Sequence, residues 1–271
     1  MMRSLLNAEL KVLRKRKATW VVLGVLLIFL ALGYYMIYFF SDIQFPKEFL
    51  LPAKAMQYTI LQLGDNGVYL AAIFGGLFFG SPFSWRTYET RLVQAQSRDW
   101  IFGSKLVANL LTLATWLAVG LAFGHAISFS LGFLEGNIAY STPGIWLVLR
   151  ATLLVLVVWF TWFMLAGVIT VWSKSTAMGI GLSLAYYFLE SIIFNIPGFR
   201  SIIEGYSHFF LYQASSGMIR QLFPGGSPYS NAPLQNLSAS IQGLIPVIFG
   251  YLIGFIVLGW WRFRTMEIAE H

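Results

Sequence analysis

The chain has 271 residues and a formal net charge of +7, with hydrophobic residues at 58% and charged residues at only 11%, against about 25% charged in ordinary soluble domains. The apolar residues come in long blocks, which excludes a soluble globule, and the cations sit beside those blocks, which fits membrane orientation and excludes nucleic acid as a partner. Cysteine is absent, so disulfides, thiolate metal sites and a cysteine nucleophile are excluded. The expected fold is all-α and polytopic, with residues 1–271 forming one transmembrane domain, since no polar linker divides the chain.

Residues 1–18 set Leu5, Leu6, Leu10 and Leu13 among Arg3, Lys11, Arg14, Lys15, Arg16 and Lys17. This is the pattern of an amphipathic helix on the inner membrane surface, its cations near anionic lipid head groups. A cleaved signal peptide is disfavoured, because the apolar block that follows, 20–40, has 21 residues where a signal core runs ~7–15. That block is the first span. The second, 60–80, is irregular. Its apolar part from Val68 to Gly80 supplies only ~20 Å of helix against a ~30 Å hydrocarbon core. Either the helix recruits Ile60 to Leu63 and carries Asp65 into the outer third of the membrane, or it starts after Gly67 and leaves Asp65 in an outer loop.

The remaining spans are expected at 106–131, 145–172, 177–196 and 243–261, each long enough to cross. Six spans put both termini on one side, which then carries thirteen Lys and Arg against five opposite. That bias turns the termini and the 81–105 loop toward the cytoplasm, and so predicts a multi-pass protein of the cytoplasmic membrane. The outer segment 197–242 opens with aromatic and aliphatic residues, including Tyr206, Phe209, Phe210 and Tyr212, as for a helix lying at the outer interface or dipping in and out. It continues as a turn-rich loop, Pro224-Gly225-Gly226-Ser227-Pro228.

Several chemistries lack their residues. There is no phosphate-binding GxxxxGK[ST] loop and no HExxH, and His125, His208 and His271 are scattered. The sequence therefore predicts neither a metal site nor catalysis.

The 81–105 loop is the most specific stretch. As a helix, Trp85, Tyr88 and Leu92 share one stripe while Arg86, Glu89, Thr90 and Gln94 face elsewhere. Ser97 is placed to cap the next helix with Asp99 in its first turn, and Trp100 and Lys105 to anchor entry into the third span. The run Phe83-Ser84-Trp85-x-Thr87, then Arg91-Leu92, Ser97-Arg98 and Gly103-x-Lys105, resembles the permease subunits of type-2 ATP-binding cassette transporters. The basic N-terminal helix, six spans and outer segment extend that resemblance along most of the chain. Pro82 and Arg86 depart from it, standing where the family usually has an acidic residue and glycine; Glu89 lies close by.

The resemblance implies an exporter subunit that is not itself an enzyme. A separate ATPase subunit would bind ATP and magnesium, and a second permease copy or homologue would complete the pathway. The cytoplasmic coupling helix would dock on the ATPase through Trp85, Arg86, Thr87, Tyr88, Glu89, Arg91, Leu92, Gln94, Ser97 and Arg98. A membrane scaffold without transported solute and an ion-coupled transporter are the alternatives. Asp65, Arg150 and Glu190 fall at similar depth in the outer third, either as a structural ion pair or, for the carboxylates, on the pathway lining.

Overall fold

In hydrocarbon every backbone N–H and C=O needs an internal partner, so long apolar segments become helices and local propensity matters little. The computed structural model describes residues 2–40, 50–52, 54–84, 97–136, 144–196, 204–221 and 240–265. Its elements are α1 (Met2–Lys15), α2 (Lys17–Phe40), α3 (Ala55–Ser84), α4 (Arg98–Leu134), α5 (Ile145–Ser173), α6 (Thr176–Asn195), α7 (Leu211–Arg220) and α8 (Ile241–Thr265). A short 3-10 turn, Glu204–Phe209, precedes α7. Among the described residues all regular secondary structure is helical, and α2, α3, α4, α5, α6 and α8 are each long and apolar enough to cross a membrane.

The bundle is built around α3, which packs against α2, α4, α5 and α6. It runs unbroken through Gly64-Asp65-Asn66-Gly67, so Asp65 belongs to the helix and the outer-loop placement does not hold. Close approach explains the glycines. A Cβ at Gly75 would fall on the Phe163 backbone carbonyl, and one at Gly67 on the Trp159 ring. Small residues of this kind let helix backbones meet where lipid supplies no hydrophobic drive. The Trp159 Nε1–H donates to the Leu63 carbonyl at 3.0 Å. Phe74, Phe79 and Phe163 fill the middle, with Phe74 and Trp116 ring centroids 4.5 Å apart.

Helix ends follow local rules. Ser97 Oγ accepts from the Trp100 N–H at the start of α4, and Asp99 stands in its first turn, where the positive helix end favours it. Lys174 takes a left-handed φ of 53° to close α5, and Ser175 caps α6 by accepting from the Met178 N–H. With 37 residues, α4 is ~55 Å long, far more than the ~30 Å hydrocarbon core. One end of the bundle therefore carries α1, the start of α4, the α5–α6 turn and the end of α8. The far end carries α7.

Candidate functional site

Two polar constructions stand out in this apolar bundle. The first joins elements at the α1 end. Leu5, Glu9 and Leu13 recur at i, i+4 and i+8 and form the buried stripe of α1. Helical spacing thus carries a carboxylate into the contact with α4. There Lys105 Nζ lies 3.4 Å from Glu9 Oε2, with both side chains almost fully buried, and 4.5 Å from the Phe78 ring centroid. Lys105, expected to anchor entry into the third span, is buried at the start of α4, where Glu9 supplies the counter-charge that makes burial tolerable.

Neighbouring contacts extend the joint. Arg16 Nη2 donates to the Leu77 carbonyl of α3 at 3.1 Å. Half-burial pulls the Arg16 guanidinium below its ordinary pKa, although arginine remains charged. Arg98 Nη1 donates to the Arg264 carbonyl at 2.5 Å, and Trp260 Nε1 donates to Asp99 Oδ1 at 2.8 Å. The start of α4 is thus tied to α1 and α8 at once. Of the expected docking residues, Ser97 and Arg98 belong to this joint. Trp85, Arg86, Thr87, Tyr88, Glu89, Arg91, Leu92 and Gln94 lie outside the described residues.

The second construction is a polar stripe on the far half of α3. Gln62 Nε2 donates to Tyr58 Oη at 2.6 Å, Asn66 Nδ2 to Gln62 Oε1 at 2.5 Å, and Tyr69 Oη to Asn66 Oδ1 at 2.8 Å. Their spacing of four, four and three puts them on one face. Phe29 of α2 and Tyr187 of α6 each set a ring edge-on to Tyr69, with centroids 6.0 Å away. Asp65, Asn66 and Tyr69 remain partly exposed between those helices.

Helix α7 is seated beside this stripe. Its residues Gln213 to Ile219 are buried, and it packs against α3, α5, α6 and α8. Trp162 Nε1 donates to Ser215 Oγ at 3.1 Å, and Tyr251 Oη to the Phe209 carbonyl at 2.7 Å. Glu190 is 3% exposed and its Oε1 accepts from the Gln213 N–H at 3.1 Å, in the first turn of α7. A carboxylate there satisfies an orphan donor and faces the positive end of the helix dipole.

The three ionisable residues singled out in the sequence therefore do not form one cluster. Glu190 caps α7, the cation whose charge acts on Asp65 is Arg220 at the end of α7, and Arg150 is exposed on α5. The physical reason is α7 itself, which brings its own dipole and its own arginine to the two carboxylates. Glu190→Ala is expected to cost roughly 1.5–3 kcal/mol, since hydrogen bonds to a charged partner are lost. A lowered melting temperature in detergent would register this, and an unchanged one would mean that α7 is held by its other contacts. Among the described residues no group of three or more His, Asp or Glu could hold a metal ion.

Fold and site together define a multi-pass helical membrane protein with one tied end and one polar half. The chain matches no protein-family model and no curated protein sequence.

Proposed function

We propose that this chain is the membrane-spanning permease subunit of an ATP-driven transporter of the type-2 ATP-binding cassette class, exporting a solute across the cytoplasmic membrane. The observation that carries the reading is the joint at the α1 end. In the chain, residues 85–96 connect the end of α3 to a start of α4 that is capped and tied by three contacts. A force applied to that segment would reach α1, α4 and α8 together, which is what a rigid-body drive from an external motor requires. The excess of Lys and Arg at this end orients it to the cytoplasm, where ATP is found.

The partly exposed Asp65, Asn66 and Tyr69 support a pathway role for the far half of α3. Asn66 and Tyr69 bond within the stripe, yet polar side chains at membrane depth commonly face a second chain or a wet cavity. In this reading a second permease copy or a homologue supplies the opposing wall. A separate ATPase subunit binds ATP and magnesium and performs hydrolysis, and this chain carries none of that chemistry.

Co-purification tests the docking role. When the chain is expressed with its cognate ATPase, Arg91→Glu and Arg98→Glu are each expected to weaken the complex by about ten-fold, as when a close cross-interface charge pair is reversed. An undiminished complex with both reversals would sink the docking role. Substrate-stimulated ATP hydrolysis in reconstituted vesicles separates transport from a scaffold, which would show none.

A further inference from the structure

At the α1 end, α5, α6 and α8 form a corner where they meet the water. Trp172 and Trp261 are half-exposed there, with ring centroids 5.9 Å apart. The Arg262 guanidinium lies 5.7 Å from the Trp172 ring, and its Nε is buried without a hydrogen-bond partner. Lys174, exposed and held in its left-handed turn, follows two residues after Trp172. Among the described residues no acidic side chain pairs with Arg262; the nearby Asp99 is already taken by Trp260.

Above the corner, α5 packs against both α6 and α8. Val168 and Ile169 of α5 are partly exposed, and Met178 and Leu182 of α6 and Ile253 and Val257 of α8 are exposed. A Cβ at Gly259 of α8 would lie 3.3 Å from Val168, so α8 approaches α5 closely here. The result is an aromatic shelf that carries the Arg262 guanidinium, with exposed apolar side chains on the helices beside it and Lys174 two residues beyond Trp172.

The geometry points to a binding site for one anionic phospholipid, its phosphate on Arg262 with the Lys174 charge adding to the local positive field, its glycerol region against Trp172 and Trp261, and an acyl chain along the exposed apolar side chains of the adjoining helices. Three physical arguments commit it to this occupant. Guanidinium forks match phosphate oxygens and arginine stacks on aromatic faces. Paired tryptophans settle at head-group depth. Surplus cations at the cytoplasmic leaflet face the anionic lipids of that leaflet. The inference needs only the bundle and its orientation, and stands or falls apart from ATP-driven transport.

Native mass spectrometry of the detergent-purified chain, titrated with phosphatidylglycerol and with phosphatidylcholine of identical acyl chains, tests it. Phosphatidylglycerol is expected to bind at least about five-fold more tightly, and Arg262→Gln to remove about five-fold of that affinity, as for the loss of one cation at the head group. Lys174→Asn keeps the left-handed turn, since asparagine tolerates it, and is expected to weaken phosphatidylglycerol similarly; if Arg262→Gln fails to fold, this variant decides alone. Lys15→Gln, on the exposed side of α1, is expected to change nothing. Equal binding of the two lipids, wild-type affinity in both corner variants, or an equal loss with Lys15→Gln would each overturn the site.

Discussion

Gly75→Leu is expected to yield no folded protein, and Gly75→Ala to lose 3 kcal/mol or more, above the ~1–3 kcal/mol usual for an overpacked core. The atom in the way is the Phe163 backbone carbonyl, which cannot swing aside as a side chain could. To admit even a methyl group, α3 and α5 would have to part along their whole contact, the most extensive in the bundle. Fluorescence-detected size exclusion and thermal melting in detergent measure the effect. Gly181→Ala is the control: nothing lies within 4 Å of its added Cβ, so it is expected to be neutral or to gain up to ~1 kcal/mol from helix propensity. Comparable melting temperatures for Gly75→Ala and Gly181→Ala would refute the close approach of α3 to α5.

The second large effect concerns the pair at the α1 end. Glu9→Leu is expected to cost ~3–5 kcal/mol, because it removes the counter-charge from the buried Lys105 ammonium. Glu9→Leu combined with Lys105→Met is expected to recover most of that loss, since two apolar side chains of similar volume replace a desolvated pair. The cycle discriminates between explanations: if the double variant is as unstable as the single, α1 is held by something other than this ion pair. Under the transport reading, the double variant also keeps the helices docked while loosening the charge register between α1 and α4. Its ATPase coupling then reports whether that register matters.

The six spanning helices were legible from length and hydropathy because the bilayer leaves the backbone no alternative. Ser97 was legible as a cap for a similar reason, since the Ser-x-Asp signal acts within one helical turn. What escaped the sequence is non-local. The partner of Lys105 lies 96 residues away, and as a single acid in a basic helix Glu9 gives no local sign of burial beyond its place on the Leu5–Leu13 stripe. Helix α7 is short and holds Gln213, Ser215 and Ser216, a composition that suits an interface. Its seat among the apolar helices depends on Trp162 and Glu190, which belong to helices far along the chain. The Gln62, Asn66 and Tyr69 stripe has a readable helical spacing, but its residues are uncharged and do not stand out among the carboxylates and arginines.

The Glu9–Lys105 pair also sets a timetable for biogenesis. A chain made from its N-terminus exposes Glu9 first, and the 96 residues that separate it from Lys105 take roughly 5–20 s to synthesise at ~5–20 residues per second. Through that interval α1 has no seat, and its leucines must be sheltered by the membrane surface or by a chaperone. Docking of α1 therefore waits for the start of α4, and it marks the moment at which the first half of the bundle closes.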